Sequence, residues 1–218
     1  KGGFLNAPDT YMEKIAVGPE AAMSIDISAS VFDNLVCIAE AKRVYVEDIT
    51  VSILDRERHL PLIEEVRKAG ARIELIRDGD LASSVAAALP GTGIDVAMGT
   101  GDSRRGLLTA AALSCLGAGF QARFRADKEG FGPTGAPAAA EAGQPPDPEL
   151  ERVFGIEDLT GDGNIMFAMT GVSHSDVLEG VLFRPGGATT HSLVLRGKSG
   201  TIRLLKTEHF FDRDPDYT

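Results

Sequence analysis

Arginine, aspartate and glycine gather in three short stretches of the chain, and their chemistry suits a phosphorylated, hydroxyl-rich small molecule. Asp55-Arg-Glu-Arg-His59 carries Arg56 and Arg58 on either side of Glu57. A guanidinium fork meets phosphate oxygens at two points. Continued strand alternation would put both arginines on one side, although surface ion pairs with Asp55 or Glu57 also account for such a loop. Asp78-Gly79-Asp80 reads as a turn, with Asp80 placed as a helix N-cap. As ligands, its carboxylates would accept hydrogen bonds from sugar hydroxyls; for a metal, two carboxylates are a thin set. Gly99-Thr-Gly-Asp-Ser-Arg-Arg-Gly106 reads as a glycine loop opening a helix, where backbone N–H groups favour anions. It lacks the Gly-Lys-Ser/Thr ending of a Walker A loop and the last glycine of a dinucleotide fingerprint.

Elsewhere the chemistry is thinner. Asp158-Leu-Thr-Gly-Asp-Gly-Asn164 resembles the start of a calcium loop, but Met169 stands where the bidentate Glu belongs, which leaves a plain turn. His174, His191 and His209 have no metal spacing, and no nucleophile elbow is present.

The elements that must position these stretches follow one plan: a β-branched run, a polar loop, an amphipathic helix. The runs are 49–54, 71–76 and 94–98, and the loops after them are Asp55–His59, Arg77–Asp80 and Gly99–Gly106. If the strands are parallel, those loops share one sheet edge, where open α/β sheets bind ligands. Helices are expected from Ser28 or Ser30 to about Lys42, from about His59 to Ala69, from about Asp80 to Leu89 and from Ser103 to Leu116. Gly70 is a natural C-cap for the second of them. Two short strands are expected in residues 1–25, Met12–Val17 being the better one, and Gly119–Arg125 alternates like a half-buried strand. Further strands are expected at 165–170, 190–195 and 201–206. The last two are spaced as an antiparallel hairpin, which makes the sheet mixed. Residues 126–148, rich in Pro, Gly and Ala, read as a mobile surface loop.

Composition bounds the partners. The 218 residues are 43% hydrophobic and carry a net charge of −10. That provides for a real core and argues against a general nucleic-acid binder. No apolar run is long enough to cross a bilayer and no signal peptide is visible, so a cytoplasmic protein with no membrane partner is expected. The two cysteines, Cys37 and Cys115, lie in apolar helical stretches and read as small buried hydrophobes. The start at Lys1 reads like the middle of a protein, with residues 1–27 ending a sheet region that begins upstream and 28–218 forming the α/β domain.

Several strings together resemble class II fructose-1,6-bisphosphatase, some members of which also act on sedoheptulose-1,7-bisphosphate. They are Asn6-Ala-Pro-Asp-Thr-Tyr-Met-Glu-Lys14, Arg58-His59, Asp78-Gly-Asp80, Thr189-Thr-His-Ser-Leu-Val-Leu-Arg-Gly-Lys-Ser199 and Thr201-Ile-Arg203. The resemblance runs almost end to end, the stretch 126–148 excepted. It implies a layered α/β/α/β/α sandwich of the lithium-sensitive sugar phosphatase superfamily, with a mixed sheet flanked by helices. It also implies a cytoplasmic, usually homo-oligomeric hydrolase of gluconeogenesis or Calvin-type carbon metabolism. In that family Mg²⁺ or Mn²⁺ activates water for attack on the 1-phosphate of a sugar bisphosphate. By resemblance the substrate-binding residues are Tyr11, Arg56, Glu57, Arg58, Asp78, Gly79, Asp80, Gly101 and Asp102.

This sequence departs from the family pattern in ways that divide the site. The family's acidic metal motifs precede the segment that starts here at Lys1. Its metal-ligating Glu corresponds to Arg105, a cation that repels the metal, and Glu57 stands where proline is common. The resemblance therefore assigns this chain the substrate-binding half, with no catalytic or metal residue of its own and poor retention of Mg²⁺ or Mn²⁺. The alternative is a non-catalytic sugar-phosphate-binding relative, a sensor or partner subunit.

Overall fold

The β-branched runs form strands that point the same way, and this alignment builds one working edge. The computed structural model describes residues 3–125 and 152–212. β1 (Tyr11–Val17), β2 (Thr50–Leu54), β3 (Arg72–Ile76), β4 (Val96–Asp102), β5 (Gly119–Arg125) and β6 (Phe154–Gly155) make one sheet of order β3-β2-β4-β1-β5-β6. β2 is parallel to β3 and β4. β1 lies antiparallel between β4 and β5, and β6 is antiparallel to β5. The sheet is mixed, as expected, but through β1, β5 and β6: the 190–206 hairpin that led to the expectation lies in a separate sheet. Tyr11, at the start of β1, pairs with Asp102 at the end of β4 and with Arg125 at the end of β5. The exits of β2, β3, β4 and β5 and the entry of β1 thus meet along one edge.

Helices cover both faces. α1 (Val31–Lys42) starts where Ser30 Oγ accepts the N–H of Asp33, and α2 (Leu60–Ala69) ends at Gly70 with φ +89°. Leu35, Ile38, Ile63 and Val66 from these helices pack on Ile15, Val17, Val51, Ile53 and Val96. α3 (Asp80–Ala87) and α4 (Ser103–Leu116) lie across the opposite face. α4 is small and apolar on two sides because it is buried on two sides. Its Ala110 and Leu113 meet Met12, Ala16 and Phe120 of the first sheet. Its Ala111, Ala112 and Cys115 meet Phe167, Leu193 and Leu195 of a second sheet. That sheet contains β7 (Met166–Thr170), β8 (Leu182–Arg184), β9 (Gly187–Arg196) and β10 (Thr201–Phe210), in the order β10-β9-β7 with β8 also on β9. The layers run α/β/α/β. Among the described residues no helix is long and apolar enough to cross a membrane.

Some expectations need correction. Residues 3–25 hold one strand, not two. Gly99–Asp102 is not loop: β1 supplies an antiparallel partner as far as Asp102, so β4 continues through the glycines and α4 begins at Ser103. Cys37 is exposed, because it falls off the α1 face that buries Leu35 and Ile38, while Cys115 is buried as expected. The turn read at Asp158 lies partly in a short helix, α5 (Ile156–Thr160), where Asp158 Oδ2 accepts the N–H of Gly155. The 190–195 and 201–206 hairpin forms, with longer arms. The loop read at 126–148 lies outside the described residues.

Candidate functional site

Three strand exits build the site, and hydrogen bonds lock them to one another. Between β2 and α2 the chain makes a 3-10 turn at Glu57–His59. His59 is buried beneath it, with Nδ1 2.7 Å from the carbonyl of Leu54 and Nε2 2.8 Å from the amide N of Thr100. An amide can only donate, so Nε2 accepts and Nδ1–H donates to Leu54. Burial, aided by the charges of Arg58 and Lys14, holds the imidazole below its usual pKa, against the opposing pull of the two backbone bonds. The neutral ring staples the β2 exit to β4.

Arg58 extends this staple. Its Nε and Nη2 both donate to the carbonyl of Thr100, at 3.1 and 2.9 Å. Its guanidinium lies over the Tyr11 ring, 4.9 Å from the centroid. Arg56 goes elsewhere: Nη1 donates to the carbonyl of Asp55 and Nη2 to that of Arg77, both at 2.7 Å. The two arginines therefore do not share a side, because the 3-10 turn replaces strand alternation at Glu57. Glu57 itself is exposed.

The β3 exit contributes Asp78-Gly79-Asp80. The expected cap is displaced by one residue: Gly79, with φ +92°, is the N-cap of α3, and Asp80 is the first helical residue. The Asp80 carboxylate instead pairs with the ammonium of Lys14, which β1 carries into the interior. Burial would raise the Asp80 pKa, but the charge and hydrogen bond of Lys14, with help from Arg105, outweigh it and hold the group below the usual carboxylate value. The only sequence signal for Lys14 is a lysine on the buried side of an apolar strand. Asp80 Oδ1, Ser52 Oγ and Ser83 Oγ find no hydrogen bond among the described residues. Their residues border one cavity of about 10 Å³, the scale of a single buried water.

β4 closes the arrangement. A Cβ on Gly101 would lie 2.6 Å from Asp80 Oδ2, so only a glycine lets β4 pass this close to the buried carboxylate. Asp102 caps α4, its Oδ1 accepting the N–H of Arg105 at 3.1 Å. The Arg105 side chain turns back over the edge, with Nη1 3.2 Å from Asp78 Oδ1 and 3.8 Å from Asp80 Oδ1. The Asp78 side chain is 76% exposed and that of Asp80 only 9%.

Contacts thus join Tyr11, Arg58, Thr100, Gly101, Asp80, Arg105 and Asp78 along one edge, with Arg56 tied to the β3 exit. The site is open and flanked by two hollows. Arg58, Lys14, Thr100, Arg123 and Arg125 line one of about 280 Å³. Arg77, Asp78 and Gly79 line the other, of about 490 Å³. Arg56 and Glu57 line neither of these two.

A family model for bacterial, glpX-encoded fructose-1,6-bisphosphatase matches residues 1–209. The D-fructose 1,6-bisphosphatase class 2/sedoheptulose 1,7-bisphosphatase of Synechococcus sp. (strain JA-2-3B'a(2-13)) is 40% identical over 217 residues, which are 97% of this chain and 62% of that protein. Its namesake in Microcystis aeruginosa is 39% identical over 224 residues, 100% of this chain and 64% of that protein. The chain spans a little under two thirds of the length of these relatives. With the family model matched over residues 1–209 and relatives 39% and 40% identical across the chain, the chain belongs to the bacterial, glpX-encoded fructose-1,6-bisphosphatase family.

Proposed function

We propose that this chain supplies the sugar-phosphate-holding part of a class II fructose-1,6-/sedoheptulose-1,7-bisphosphatase, a phosphoric monoester hydrolase of carbohydrate metabolism. The observation that carries the proposal is the convergence of Arg58, Arg105, Asp78 and Asp80 on one sheet edge of a chain in this family. The layering, with helices between two sheets, accords with the sandwich of the lithium-sensitive sugar phosphatases.

In this reading Tyr11, Arg56, Glu57, Arg58, Asp78, Gly79, Asp80, Gly101 and Asp102 make the substrate edge, with distinct parts. Arg58 is pinned by Thr100 and stacked on Tyr11, so it presents its charge at little further entropic cost. Asp78, with its side chain 76% exposed, is open to a sugar hydroxyl. Asp80, Gly101 and Asp102 act from below, holding Lys14, the backbone of β4 and the start of α4 in place.

The family's divalent metal does not fit the residues described. Among them no three His, Cys, Asp or Glu side chains are grouped to hold an ion. The carboxylates nearest the edge already face Lys14 and Arg105.

Calorimetry with fructose-1,6-bisphosphate in EDTA tests the proposal. Micromolar binding is expected, weakened about 10- to 100-fold in Arg58→Ala through loss of a charged hydrogen-bonding group. The same chain incubated with Mn²⁺ is expected to release no phosphate above background. Absence of heat at millimolar ligand both in EDTA and with Mn²⁺, with the protein folded, would overturn the assignment of the site.

A further inference from the structure

Of Arg56, Arg58 and Arg105, the last has the least committed guanidinium. Arg56 and Arg58 each spend two nitrogens on backbone carbonyls. Among the described residues the hydrogen bond of the Arg105 side chain goes through Nη1 alone, to Asp78 Oδ1. Its side chain remains 55% exposed. It is nevertheless aimed, because two carboxylates hold one end: Asp78 at 3.2 Å from outside and Asp80 at 3.8 Å from beneath. Asp80 is in turn fixed from the opposite side by Lys14, so the anchor does not swing.

This geometry has two chemical consequences. A divalent cation approaching Asp78 and Asp80 would meet a guanidinium between them and an ammonium behind, and like charges at such range repel strongly. A phosphate approaching the same point would find the remaining N–H groups of a planar fork, already oriented and made for two-point contact.

We propose that Arg105, clamped by Asp78 and Asp80, stands in for a divalent cation and makes this edge a metal-independent site for the phosphate of a sugar bisphosphate. The proposal rests on the sugar-phosphate reading of the site and adds to it the residue that selects anion over metal.

The test is calorimetric titration of fructose-1,6-bisphosphate into the wild-type chain, Arg105→Ala and Arg105→Lys, each in EDTA and again with Mn²⁺. Far-UV circular dichroism checks that each variant is folded; the side chain is half exposed, so folding should be unaffected. The wild type should bind equally well in both buffers. Arg105→Ala should bind about 10- to 100-fold more weakly in EDTA, the cost of one charged, two-point partner. Arg105→Lys should fall between, because the charge survives and the fork does not. Wild-type binding that appears only with Mn²⁺ would overturn the proposal while leaving the sugar-phosphate reading intact. So would unchanged binding in Arg105→Ala. No binding by the wild type in either buffer would remove both.

Discussion

His59 shows how a single side chain can carry both architecture and pH sensitivity. Its ring accepts from Thr100 N–H and donates to the Leu54 carbonyl, so it must stay neutral in the fold. A proton added at Nε2 would face an amide hydrogen. In the unfolded chain the same histidine titrates near its ordinary value of 6.5, whereas burial holds the folded value lower. As pH falls through 6.5, the unfolded state gains a proton that the native state refuses, and stability falls with it. The limiting slope for one such proton is about 1.4 kcal/mol per pH unit. The melting temperature should therefore drop between pH 7.5 and pH 5.5, and His59→Gln should flatten that drop. Parallel slopes for the two proteins would acquit His59.

At the scale of elements, β4 is where sequence reading and structure part company. Its glycines, Gly99 and Gly101, suggest a loop, yet they are strand residues chosen for close approach. Gly99 has φ +135°, and a Cβ there would lie 3.0 Å from His59 Nε2. Gly99→Ala should cost about 1–3 kcal/mol, mixing backbone strain with the loosened histidine staple. Gly163→Ala, which meets nothing within 4 Å, serves as the near-neutral control. Equal melting curves for the two variants would show that β4 tolerates a side chain at position 99. The repeated strand–loop–helix plan was readable because burial writes its period into the sequence, and it located the common edge. The extent of α4, Ser103–Leu116, was readable for the same reason, with Gly117 as its stop. The bond between Lys14 and Asp80 was not, because it joins positions 66 apart that only the finished sheet brings together. Nor was the divergence of Arg56 from Arg58, since one 3-10 turn at Glu57 cancels the alternation that would have paired them.

Across the whole molecule the two sheets differ in how they finish. The six-stranded sheet is covered on both faces by helices, while the four-stranded sheet ends in β10, almost wholly exposed from Thr201 to Phe210. Leu204 pairs in register with the fully buried Leu193, yet it is 69% exposed. Phe183, on β8, is 79% exposed. A long edge strand with apolar side chains is a template for pairing with another strand, and contiguous apolar surface favours association. The net charge of −10 opposes it, more so at low ionic strength. Light scattering at rising protein concentration should therefore show association that grows as salt screens the repulsion. Leu204→Lys, which puts a solvated charge on the edge without touching the core, should suppress it at an unchanged melting temperature. A chain that stays monomeric through the whole salt series would show that β10, despite its composition, is not adhesive, and charge alone could not be credited, because the salt would already have screened it.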